Sequence, residues 1–107
     1  MRTIELINGA KVLLNTETDV LLYDGRENTG PNQNRWVSLY AHAWKDHPDK
    51  VTFYLGHFSQ WQGERCYISV ISDDDARTFA IEHYGNASPG ERSIMAEYDL
   101  FNESGFQ

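Results

Sequence analysis

Up to Ile71 the apolar residues recur at every second position in most stretches, and after Ser72 they recur at every third or fourth. Thr3 to Ile7 and Ala10 to Leu14 flank Asn8-Gly9, a pair that supplies the positive φ angles of a two-residue hairpin turn, so these segments are expected to pair. Asp19 to Tyr23 is expected to be a third extended segment or a short buried turn, because Val20-Leu21-Leu22-Tyr23 lacks clean alternation. In the middle of the chain Val37, Leu39, Ala41 and Ala43 alternate with Trp36, Ser38, Tyr40, His42 and Trp44. Val51, Phe53, Leu55 and His57 alternate with Thr52, Tyr54, Gly56 and Phe58, and Cys66, Ile68 and Val70 with Arg65, Tyr67, Ser69 and Ile71. Three adjacent strands would gather the aliphatic positions on one side. Lys45 to Asp49 and Gln60 to Glu64 read as the turns between them, and Asp24 to Asn34 as the longest loop.

Ser72 is a helix N-cap, with its hydroxyl placed for the Asp75 amide and three aspartates on the first turn, where the macrodipole favours negative charge. Ala76, Phe79, Ala80 and His83 or Tyr84 form the apolar stripe, and Gly85 is placed for a C′ stop. Ser88-Pro89-Gly90-Glu91 is a capping box with proline at N1, which predicts a second helix with Ile94, Met95 and Tyr98 inward. Asp99 to Gln107 reads as a tail. The expected fold is α+β: a mostly antiparallel sheet of four to six strands, a main helix over about 73–84 packed on it, and a short C-terminal helix over about 89–98. At 107 residues the chain is expected to be a single domain, 1–107.

Composition adds two points. Cys66 is alone, so no internal disulfide forms, and a lone thiol suits a reducing compartment. Neither an apolar leader segment nor a run of membrane-spanning length is present in these residues, and a cytoplasmic location with no membrane partner is expected.

Charge changes the picture more. Of the formal net charge of −7, almost all lies between Asp73 and Gln107, where Asp73, Asp74, Asp75, Glu82, Glu91, Glu97, Asp99 and Glu103 face only Arg77 and Arg92. Such a region repels nucleic acid and anionic membrane and steers toward basic protein surfaces. Those eight acids are therefore the expected partner-binding residues, with Trp36, Tyr54 and Trp61 as aromatic anchors of a protein or homodimer interface.

No catalytic, cofactor or metal signature stands out. The aspartate triplet lacks the alternating donors and turn glycine of a calcium loop, and dipole compensation accounts for it. His42, His47, His57 and His83 do not stand at zinc-ligand spacings, and G-x-S-x-G and phosphate-cradling glycine loops are absent. A Cys66 nucleophile beside His57 or His42, should they meet across paired strands, is the alternative enzymatic reading. A sheet displaying Trp36, Tyr40, Trp44, Tyr54, Phe58 and Tyr67, with Trp61 in a turn, suggests single-strand nucleic-acid binding by stacking. Arg35, Lys45, Lys50 and Arg65 are too few and too interleaved with acids to follow phosphates, which favours covering of that face by the N-terminal hairpin, the long loop or the tail.

The order Ile7-Asn8-Gly9-Ala10-Lys11, Asn15-Thr16-Glu17-Thr18, Trp61-Gln62-Gly63-Glu64 and Ile71 to Ala80, ahead of an acidic helix, resembles small uncharacterised proteins of bacterial mobile elements and phages. That group includes anti-CRISPR and antirestriction inhibitors, some of which look like DNA to their targets. The resemblance implies a non-enzymatic inhibitor of a host nucleic-acid-binding defence complex and carries over no functional residue.

Overall fold

The structure, a computed structural model, describes residues 1–29, 34–47 and 49–100. Asn8 and Gly9 take φ angles of 51° and 83°, and the primed turn they make joins β1 (Arg2–Ile7) to β2 (Ala10–Asn15) in full antiparallel register. β3 (Val20–Tyr23), β4 (Arg35–Ala43), β5 (Val51–Ser59) and β6 (Tyr67–Ile71) form a second, four-stranded antiparallel sheet in sequence order. The fold is thus α+β, with the expected strand pairings made.

The irregular pattern of Val20 to Tyr23 has a structural cause. A register shift between Leu21 and Tyr23 turns both Leu22 and Tyr23 into the core, where each is at most 1 % exposed. The expected loop from Asp24 begins instead as a one-turn helix, α1 (Gly25–Thr29). Gly25 is required there, because a Cβ would lie 2.1 Å from the Val37 carbonyl oxygen on β4; its amide donates to Ser38 Oγ at 3.1 Å.

α2 (Asp73–Glu82) and α3 (Pro89–Glu97) cover one face of the sheet, burying Ala76, Ala80 and Met95 against Leu22, Tyr23, Leu39, Ala41 and Phe53. α2 stops at His83 rather than at Gly85, which lies in a following 3-10 turn, Tyr84–Asn86. Its start is as expected, with Ser72 Oγ accepting from the Asp75 amide at 3.1 Å. Ser72→Ala should cost about 0.5 to 2 kcal/mol, and an unchanged melting temperature would remove this cap from the account.

The residues after α3 are not simply a tail. Asp99 adopts φ 58°, its amide donates to Ala96 O at 3.1 Å, and the Leu100 amide donates to Met95 O at 3.2 Å. This is a Schellman closure with aspartate in the left-handed position, and it carries Leu100, only 2 % exposed, into the core beside Met95.

The opposite face of the sheet lies under the hairpin. Val12 and Leu14 pack on Tyr40 and Tyr54, with Ile7, Ala10, Trp44, Phe58 and Ile68 around them. β6 is in the opposite phase to the expected one: Ile71, Ser69 and Tyr67 stand opposite Phe53, Leu55 and His57, so Ile68 and Val70 fall on the hairpin side. A one-residue change of phase exchanges all side chains between faces, and both sets in β6 hold enough apolar residues to allow either.

Candidate functional site

The acidic residues expected to bind a partner separate into different roles. Asp73, Asp74 and Asp75 are exposed on the first turn of α2. Arg77, one turn on, donates from Nη1 to Asp74 Oδ1 at 2.9 Å and from Nε to the Asp99 carbonyl at 3.4 Å. One arginine thereby draws the end of α3 against the start of α2, placing exposed Glu97 and Asp99 at the same end of the helical layer as the aspartate triplet. The other cation of this region, Arg92, is turned inward: its guanidinium lies 4.4 Å from the Tyr84 ring centroid and donates to the Tyr84 carbonyl at 3.0 Å. Glu82, at the other end of α2, is exposed but apart from that group.

Glu91 belongs to the fold. Its Oε1 accepts from the Ser88 amide at 2.9 Å in the capping box, and its Oε2 accepts from the Asp24 amide at 2.6 Å. It joins α3 to the β3–α1 junction and is half-buried, so charge reversal there is expected to weaken the fold as well as change the surface. Glu103 lies outside the described residues.

The three aromatic anchors also part company. Tyr54 is fully buried, stacked on Tyr40 with centroids 5.2 Å apart, and is not a surface contact. Trp36 is half-buried against Phe58, with the Arg26 guanidinium 5.0 Å from its centroid. Trp61, 54 % exposed in the β5–β6 turn, is the one of the three open to solvent.

A polar cluster that sequence inspection did not single out lies beneath the hairpin. Asp19 Oδ2 accepts from the Tyr54 hydroxyl at 2.7 Å and from the Asn15 amide at 2.9 Å, while Oδ1 meets His42 Nδ1 at 2.8 Å. Burial and the Asp19 carboxylate push the Tyr54 phenol far above its usual range, so it stays a neutral donor. With both Asp19 oxygens partnered at short distance, the cluster joins the β2–β3 turn to β4 and β5. His42 lines a groove of about 560 Å³ with Trp44, Lys11 and Lys45. The carboxylate at Nδ1 orients the ring, and neither a serine nor a cysteine is among the described residues that line the groove with it.

His42 and His57 do not meet. His42 pairs with Thr52 on the hairpin face, whereas His57 pairs with Val37 on the helix face, stacked on Tyr67 at 4.2 Å. Burial holds His57 below the ordinary imidazole range. Cys66, expected as a buried strand residue, lies just ahead of β6 and is exposed, its thiol 3.8 Å from the Ser59 carbonyl. The thiol is open to reagents in the native state, and the contact it makes is with a backbone carbonyl rather than with an imidazole. Among the described residues no group of three or more histidine, cysteine or acidic side chains is arranged for a metal, and no helix is long and apolar enough to cross a membrane.

The chain matches no family model, no curated protein and no solved structure.

Proposed function

We propose that this protein is a non-enzymatic binding module that engages a basic protein surface through the acidic end of its helical layer. The observation that supports the reading is Arg77, whose bonds to Asp74 and to the Asp99 carbonyl bring the end of α3 to the start of α2, the turn that also carries exposed Asp73 and Asp75, with exposed Glu97 two residues before Asp99. Carboxylates held on helix termini present fixed negative charge to solvent, which suits a cationic groove and speeds encounter with it. A nucleic-acid-binding effector offers such a groove, and a mobile-element inhibitor of a host defence complex, of anti-CRISPR or antirestriction type, is the role we assign. In this reading the protein acts in the cytoplasm and contacts neither nucleic acid nor membrane.

The test is a pull-down from cells carrying defence systems, followed by association kinetics with the captured effector. Binding should weaken steeply as salt rises through about 0.15 M, where charges are screened over about 8 Å. The triple variant Asp73→Asn, Glu97→Lys, Asp99→Asn should bind at least about tenfold more slowly. Glu82→Lys, which lies away from the group, should have a smaller effect. An affinity indifferent to salt and to the triple variant, or tight DNA binding by the wild type, would overturn the reading.

A further inference from the structure

We infer that β1 is a dimerisation strand, adding edge to edge to β1 of a second copy of this chain about a two-fold axis. Two independent features of the hairpin converge on this. The first is the direction of its hydrogen bonds. Across a two-residue turn the flanking pair, here Ile7 and Ala10, exchanges both ladder bonds, and the bonded pairs then recur at every second residue. Glu5 and Thr3 follow, and the Thr16 amide donating to Met1 O at 2.9 Å continues the same parity. Arg2, Ile4 and Leu6 therefore aim their amides and carbonyls away from β2. β1 has no sheet neighbour other than β2, so among the described residues this edge is unpaired.

The second feature is the outer face of the hairpin. Ile4 is 67 % exposed, Leu6 73 % and Leu13 50 %, and Ile4 stands directly opposite Leu13. The other side chains on this face include Arg2 and Lys11, and none is acidic. An exposed edge carrying exposed alternate aliphatics is the form in which a strand pairs with another chain. The three remaining sheet edges are less suited: β2 has its Asn15 amide and carbonyl taken by the turn that follows and carries one exposed aliphatic, Leu13, β3 is interrupted by its bulge, and β6 offers five residues with one exposed aliphatic, Val70.

A second copy is the occupant that the register favours. Only the even-numbered residues of β1 bond outward, so antiparallel self-pairing must set even against even. Centring on Ile4 places Ile4 opposite Ile4 of the second copy and Arg2 opposite Leu6 at both ends, three outward-bonding pairs in all. Glu5 then faces Thr3. The two next registers each lose a pair: one sets Glu5 against Glu5, where like charges directly opposed disfavour it, and the other sets Thr3 against Thr3. The outcome is a four-stranded sheet in which each hairpin, marginal as a two-stranded ribbon, gains a neighbour. This interface lies on the hairpin and uses none of the acidic residues of the proposed partner surface, so it stands or falls separately.

Cysteine cross-linking tests both the strand and the register. In a Cys66→Ser background, Ile4→Cys should oxidise readily to a disulfide-linked dimer, because bonded antiparallel partners hold their Cα atoms about 5.5 Å apart, within disulfide reach. Leu6→Cys places its two thiols four residues out of register, about 13 Å apart, and should cross-link at least about tenfold more slowly. A mixture of Arg2→Cys and Leu6→Cys chains should cross-link between unlike partners. Ile4→Pro removes an amide that β2 does not use and should sediment as a folded monomer where the wild type sediments as a dimer. Equal cross-linking at positions 4 and 6, or a wild type that sediments as a monomer across the concentrations used, would overturn the inference. Should Ile4→Pro fail to fold, the cysteine pair decides.

Discussion

Replacing Glu91 with lysine should lower the melting temperature by more than about 10 °C, although the residue lies in a region dominated by surface charge. The two carboxylate oxygens are committed separately, one to the Ser88 amide and the other to the Asp24 amide 67 residues away. Loss of the capping box costs about 0.5 to 2 kcal/mol, and loss of a charge-assisted hydrogen bond about 1.5 to 3 kcal/mol. At about 4–8 °C per kcal/mol for a domain near this size, the combined change is large. A lysine also places positive charge on the first turn of α3, against the dipole. Glu91→Gln keeps an acceptor and the box and should lose well under half as much. Thermal denaturation of the two variants is the measurement; a Glu91→Lys protein that melts with the wild type would show that the link between α3 and the β3–α1 junction contributes nothing.

Asp19→Ala should be as damaging, by about 3 kcal/mol or more, because it strands the Tyr54 hydroxyl, His42 Nδ1 and the Asn15 amide together. Tyr54→Phe alone should cost about 1 kcal/mol. In the Asp19→Ala background the same change should become neutral or stabilising, since it then removes a buried hydroxyl with no acceptor. The double-mutant cycle therefore reports the coupling directly, and additive effects would break the cluster into unrelated contacts. The expected loss also bears on the hairpin. Asp19 follows β2 and anchors its last residue, so weakening the cluster should loosen the cover over Tyr40 and Tyr54 before it disturbs α2 and α3.

These two residues mark the difference between what the acids do and what net charge suggests. Glu91 and Asp19 are consumed inside the fold, whereas Asp73, Asp75, Glu97 and Asp99 stay at the surface. A composition count treats them alike. The proposed partner surface therefore rests on fewer carboxylates than the sequence displays, at the end of the helical layer where Arg77 links α2 to Asp99.

Features whose determinants lie within a few residues of each other were legible in the chain itself. Asn8-Gly9 specifies a hairpin because the turn needs positive φ at two successive positions, and Ser72 and the Ser88–Glu91 box specify helix starts because a cap reaches only three residues ahead. Alternation in β4 and β5 likewise set their pairing and faces. Only the tertiary structure decided the phase of β6, since both of its side-chain sets include apolar residues and the choice depends on the register with β5. Covering of the Tyr54 face by the hairpin, the long loop or the tail was an expectation from the chain, and the structure decided that the hairpin, some forty residues earlier, is the cover; it alone decided the role of Asp19, whose partners His42 and Tyr54 lie 23 and 35 positions away. Asp99 at a helix C-terminus gave no glycine to signal its left-handed turn, yet Leu100 could be buried only through it. The physical reason is common to all of these: hydrogen bonds and steric limits within one turn are properties of a short segment, while burial and the pairing of a carboxylate depend on which segments the folded chain brings together.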